Sequence, residues 1–130
     1  MCSYCGCESI ATIGGFMAEH IELVNATTAL RLASADHDAG AAAPAADLLA
    51  HLLSTHAERE EVGLFRVLAR QEEFTTEVTT LCNEHGSLDA QLAAIVGGSL
   101  DTVAPLINAL REHINREENG LFPASAIALS

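Results

Sequence analysis

The stretch HAEREEVGLF at 56–65 returns as HINREENGLF at 113–122. In both copies a histidine precedes a glutamate by four residues, and Gly, Leu and Phe close the phrase. On an α-helix a four-residue step stacks two side chains on one face, so the base and the acid of each pair travel together. The surrounding apolar residues decide which face that is. His56 and Glu60 fall on the stripe of Leu49, Leu52, Leu53, Leu64 and Val67 within 45–69. His113 and Glu117 fall on that of Val103, Leu106, Leu110 and Leu121. The repeat therefore demands a fold that encloses two imidazole–carboxylate pairs between helices.

Two further segments show the same helical period. Over 9–33, Ile10, Ile13, Phe16, Met17, His20, Val24 and Thr27 share one face; over 72–96, Phe74, Val78, Leu81, His85, Leu88, Leu92 and Ile95 do. The stretch SADHDAGAAAP (34–44) interrupts the pattern with Gly40 and Pro44, and Gly97-Gly98 ends the third segment. Asp101 is placed to cap the fourth, and Pro105 falls in its first turns, where a missing N–H costs little. No alternating strand pattern occurs. Four amphipathic helices with short connections predict an all-α, up-down-up-down four-helix bundle over 9–130, preceded by a cysteine-rich arm at 1–8.

Bulk properties narrow the function. With 130 residues, 49% of them hydrophobic, the chain suffices for one domain with its own core. A formal charge of −12 and the absence of lysine disfavour nucleic acid and anionic membranes as partners. No apolar run reaches the roughly 18 residues of a membrane span. No basic stretch followed by an apolar one opens the chain, so a secretory signal is not expected and a cytoplasmic location follows.

The six histidines divide on the helical wheel. His37 lies in the Gly/Ala connection, and His51 is rotated from His56 by about 140° toward solvent. His20, His56, His85 and His113 each sit on the apolar stripe of a different helix. One inward histidine is ordinarily a satisfied core residue, but four would each need a buried partner. Glu60 and Glu117 add two buried carboxylates that need positive charge. No buried lysine supplies it, and Arg59 and Arg116 point away from the stripe. Metal cations would. Four imidazoles and two carboxylates suffice for two ions bridged by the glutamates, and nitrogen and oxygen donors suit iron, with manganese or zinc as alternatives. Ferritin-like bundles place glutamate three residues before histidine; no histidine here has one there, and His-x-x-x-Glu runs the other way.

These features resemble the hemerythrin-like, or HHE cation-binding, domain family. They are His20 in AEHIEL, His56-x-x-x-Glu60, His85 in NEHGSL, and His113-x-x-x-Glu117 with its trailing LFP. The resemblance spans about 14–124. It implies a four-helix bundle around a non-haem di-iron centre with two bridging carboxylates and His20, His56, Glu60, His85, His113 and Glu117 as ligands. It also implies small-molecule partners: binding or sensing of dioxygen, peroxide or nitric oxide, in oxidative or nitrosative stress or iron handling. Oxygen carriers of the family hold two histidines, four apart, on the third helix. Here His85 stands alone, with Leu81 one turn before it and Asp89 one turn after. Asp89, or water, could replace the missing ligand. The departure points away from plain reversible carriage and toward peroxide, nitric oxide or iron chemistry. An enzyme that decomposes peroxide or repairs iron centres, and a purely structural metal bundle, use the same ligands and stay open.

MCSYCGC brings Cys2, Cys5 and Cys7 together, and Cys82 is the remaining thiol. Outside an oxidising compartment such a cluster reads as metal-binding or redox-active before it reads as a disulfide framework. Three thiols are one short of a tetrahedral site for zinc or another metal, which Cys82, a partner chain or the freed N-terminal amine of Cys2 could complete.

Overall fold

The computed structural model describes residues 7–129, with side chains described from Ala11 onward. Four helices account for nearly all of it: α1 (Cys7–Ala35), α2 (Ala39–Glu60), α3 (Thr75–Val96) and α4 (Val103–Arg116). α2 runs on through a π-helical turn (Glu61–Phe65) into a last α-turn (Arg66–Leu68). α4 does the same through a second π-helical turn (Glu117–Leu121) into Phe122–Ala128. Each helix packs on the one before and after it, and α4 closes the ring against α1. Among the described residues there is no strand. The chain is an all-α, up-down-up-down four-helix bundle. Among the described residues no helix is long and apolar enough to cross a membrane.

Where the helices start and stop departs from the sequence reading in three places, the first being that α1 already begins at Cys7, inside the arm expected at 1–8. The expected break at 34–44 shrinks to a tight turn at 36–38, with His37 at a positive φ of 52°. Asp38 then caps α2 by accepting the Ala41 N–H at 3.0 Å, and the alanines beyond it are the strongest helix formers. Pro44 is thereby inside α2, where it forfeits only the bond to the Gly40 carbonyl. Asp101, the expected cap of α4, instead lies in a 3-10 turn (Leu100–Thr102) that leads into the helix without a side-chain cap. Gly98 closes α3 as expected, at a φ of 109° that other residues avoid.

The buried stripes follow the predicted periods, with small rotations. On α1 the inward row is Ile13, Phe16, His20, Leu23, Thr27 and Leu30, so Met17 is turned outward. On α2 the π-helical turn fits an extra residue into the helix and rotates the residues beyond it. Phe65 and Leu68 are buried there and Val67 is exposed.

The core falls into two clusters. One is purely aliphatic and lies toward the α1–α2 and α3–α4 turns, around Leu30, Leu49, Leu92 and Leu110. The other lies toward the α2–α3 connection and contains all four phenylalanines of the chain, Phe16, Phe65, Phe74 and Phe122. Between the clusters runs a layer of buried histidine and glutamate.

Candidate metal centre

The layer is built from the six side chains singled out in the sequence. His20 is on α1, His56 and Glu60 on α2, His85 on α3, and His113 and Glu117 on α4 and its continuation. All are buried, and Glu60 and Glu117 are entirely inaccessible. Their donor atoms form two groups, His20, His56, Glu60, Glu117 and Glu60, His85, His113, Glu117, each with its atoms within 4.8 Å of one another. Both glutamates belong to both groups.

The distances explain the sharing. Glu60 Oε1 lies 3.2 Å from His56 Nε2 and 3.1 Å from His85 Nε2. Glu117 Oε1 lies 3.0 Å from His20 Nε2 and 3.3 Å from His113 Nε2. Each carboxylate thus spans one histidine of each group, as a bridge between two ions requires. Two donors held about 2.1 Å from one ion at ordinary coordination angles sit roughly 3.0–3.4 Å apart, which is the spacing found.

Hydrogen bonding alone does not satisfy the layer. His56 Nε2, His113 Nε2, Glu60 Oε2 and Glu117 Oε2 are buried without a hydrogen-bond partner. The two histidine nitrogens are close to carboxylate oxygens but off the angle a hydrogen bond needs. Orphaned buried atoms of this kind cost about 1–3 kcal/mol each, and four in one place call for an occupant that accepts lone pairs from nitrogen and oxygen alike. A metal cation fits; a water fits less well, because it can donate to only two of these four atoms and its own lone pairs would face carboxylates.

The electrostatics make the same demand. Burial alone would lower the His20 pKa, yet the carboxylates of Glu117, Glu60 and Glu118 outweigh it and raise it to about 10. His85 is raised too, against burial, by Glu60 and Glu61. Burial alone would raise Glu60, but its contacts with His20, His56 and His85 hold it well below the usual carboxylate range. His20 and His85 thus hold a proton more tightly than a free imidazole, and Glu60 keeps its negative charge.

A family model of the hemerythrin HHE cation-binding domain matches residues 12–125. The chain belongs to that family. No curated protein and no solved structure matches it. The hemerythrin domain here is a cation-binding domain, and its buried clusters of histidine and glutamate, to which every helix of the bundle contributes, could hold a metal.

The remaining candidates from the sequence fall elsewhere. Asp89 is on the exposed side of α3 and in neither donor group. Leu81, where carriers place a second histidine, is fully buried in the aromatic cluster. His51 is solvated and bonds the Asp47 carbonyl oxygen at 2.9 Å. Cys82 is partly buried against the aromatic cluster, and burial together with Glu61 pushes its thiol up to about 11. Cys2, Cys5 and the Cys7 side chain lie outside the described residues.

Sequence reasoning missed an outer ring of glutamates. Glu19 takes the Nδ1 of His56 at 2.6 Å, and Glu118 that of His20 at 2.7 Å. Glu84 takes that of His113 at 2.8 Å, and Glu61 that of His85 at 3.1 Å. The signal was present as a Glu-His pair at 19–20 and 84–85 and a Glu-Glu pair at 60–61 and 117–118. In an ordinary α-helix adjacent residues diverge by about 100°, so both members of a Glu-Glu pair would not be expected to serve one site. π-helical turns begin at Glu61 and at Glu117 of these pairs.

Proposed function

We propose that this chain is a non-haem di-iron protein that binds or senses dioxygen, peroxide or nitric oxide. The observation that carries the reading is the pair of four-donor groups sharing Glu60 and Glu117. Two ions so held would each have two imidazole nitrogens and two carboxylate oxygens from the protein. Iron commonly takes more ligands than four, so both ions would keep open positions for an exogenous small molecule. When bound, the iron pair supplies redox chemistry toward such molecules.

The protein's own residues do the rest. His20, His56, His85 and His113 would offer neutral nitrogen donors, and Glu60 and Glu117, which belong to both donor groups, would offer shared carboxylate oxygens. Phe122 stacks on His20 with ring centroids 5.7 Å apart, and Phe65 on His85 at 5.8 Å, closing one side of the layer with apolar surface. Leu81 leaves the carrier's additional ligand position apolar, which favours reaction with peroxide or nitric oxide over long storage of dioxygen. The acidic surface, with a net charge of −12, suits small neutral ligands and not nucleic acid.

The decisive experiment is anaerobic loading with ferrous iron, metal analysis, and absorption spectra after addition of azide, nitric oxide or peroxide. The expected result is about two irons per chain and a new absorption band with at least one ligand. A chain that binds no iron, or binds it with no spectral response to any ligand, overturns the reading; the second result would leave a structural metal bundle. Catalytic consumption of excess peroxide would assign an enzyme instead.

A further inference from the structure

The inner six residues do not finish the centre. Each of the four histidines presents Nε2 inward and Nδ1 to a glutamate outside the ligand groups, and no glutamate serves two of them. The pairing follows the sequence repeat. Glu19 and Glu84, each preceding a histidine on α1 and α3, serve His56 and His113 on the next helix. Glu61 and Glu118, on the π-helical turns, serve His85 and His20. Arg59 pairs with Glu19, and Arg116 with Glu84, from the matching position of each repeat.

We propose that Glu19, Glu61, Glu84 and Glu118 are positioning residues that hold all four imidazoles with the proton on Nδ1 and the lone pair of Nε2 facing two divalent cations. The inference rests on the metal reading above and adds what makes the four nitrogens usable together. A carboxylate only accepts, so each outer pair draws a proton to Nδ1 and fixes the ring's rotation as well as its tautomer. Without it, either nitrogen could carry the proton, and an Nε2–H would face the ion.

The charges agree. The inner pair and outer ring contribute six carboxylates, against which stand the two guanidiniums of Arg59 and Arg116. Four negative charges remain, and two divalent cations with four neutral imidazoles cancel them. The ring also divides the work between ions: Glu118 and Glu19 serve the histidines of one donor group, Glu61 and Glu84 those of the other.

That division gives the test. Glu118 and Glu61 are 28% and 44% exposed, so truncating them leaves no interior hole. Zinc, which is diamagnetic and takes the same donors, is titrated into the full chain carrying 15N-labelled histidine, and into Glu118→Ala, Glu118→Gln and Glu61→Ala. The ring-nitrogen resonances report tautomer and occupancy for each histidine. In Glu118→Ala the His20–His56 group is expected to fill second and about 10–100-fold more weakly than in the parent, a typical loss for such partners. In Glu61→Ala the order reverses and the His85–His113 group lags. Glu118→Gln, whose amide oxygen still accepts the Nδ1–H, keeps the tautomer and loses less affinity than the alanine variant.

Parent-like affinity and tautomers in both alanine variants would overturn the positioning role while leaving the metal centre intact. So would equal weakening of both groups in each variant, which marks a merely structural role. A parent chain that takes up no zinc and no iron overturns the metal reading and this inference with it.

Discussion

The two ends of the bundle are made of different materials. Toward the α1–α2 and α3–α4 turns the core is leucine, isoleucine, valine and alanine, and Ala33, Ala42 and Ala46 are buried there. Toward the α2–α3 connection it is built around four phenylalanines, three of which contact the histidines or one another. Phe16 meets His56 edge-on at 5.9 Å and stacks on Phe122 at 6.1 Å, while Phe65 and Phe122 lie flat on His85 and His20. Aliphatic side chains fill volume and secure the helices against each other. Flat rings do that and also fix the planes of the imidazoles they cover. Stability and site geometry are thus assigned to separate ends, with the polar layer as the boundary.

The layer itself should give the largest effect. Glu117→Ala or His56→Ala removes a donor and leaves buried partners unpaired. The expected result is loss of bound metal and of about 3–5 kcal/mol of stability, read by metal analysis and urea unfolding. His51→Ala, on the solvated face of the same helix as His56, should stay within about 0.5 kcal/mol and keep its metal. Equal effects from His51 and His56 would erase the separation between layer and surface.

Next in size are changes at the aliphatic end. Leu49→Ala opens a cavity in a fully buried position and should cost about 2–5 kcal/mol. If the two ends are independent, metal stoichiometry and ligand spectra remain those of the parent. A variant that unfolds less than this but loses metal would show that the ends are coupled.

At the aromatic end, Leu81→His restores the histidine spacing of the oxygen carriers on α3. Fitting the ring into that packed site should cost about 1–3 kcal/mol. The iron-loaded variant should hold dioxygen longer and react more slowly with peroxide than the parent, as followed by stopped-flow absorbance. A parent that already forms a long-lived, reversible dioxygen adduct would instead assign carriage to the native site.

The smallest effect per step is in the metal-free protein's response to pH. His20 is raised from 6.5 to about 10, so its contribution to stability is full below 6.5 and is lost as pH rises toward 10. Glu60 is lowered from 4.5, so its contribution is full above 4.5 and is lost as pH falls further. Thermal unfolding of metal-free protein should therefore peak between the two unfolded values, with a slope from any one group of at most about 1.4 kcal/mol per pH unit. Bound metal should flatten the alkaline side, because cations then replace the protons. An alkaline side of equal slope with and without metal would detach the layer from this behaviour.

The helices, their order and the six inner side chains were all legible in the chain before any folding. Helical periodicity is local, and His56-Glu60 and His113-Glu117 announce a shared face by spacing alone. The outer ring was harder to read: each of its glutamates stands next to an inner ligand candidate in the chain, but Glu19–His56 and Glu118–His20 join residues far apart, and adjacency does not name the partner. The π-helical turns, beyond which Val67 is exposed, were not legible; α-helical periodicity has no term for an extra residue per turn. The packing of four helices was needed to turn Asp89 to solvent and to enclose Leu81 among phenylalanines. Spacing along a helix names a face, but which neighbour that face meets is set by the other three helices.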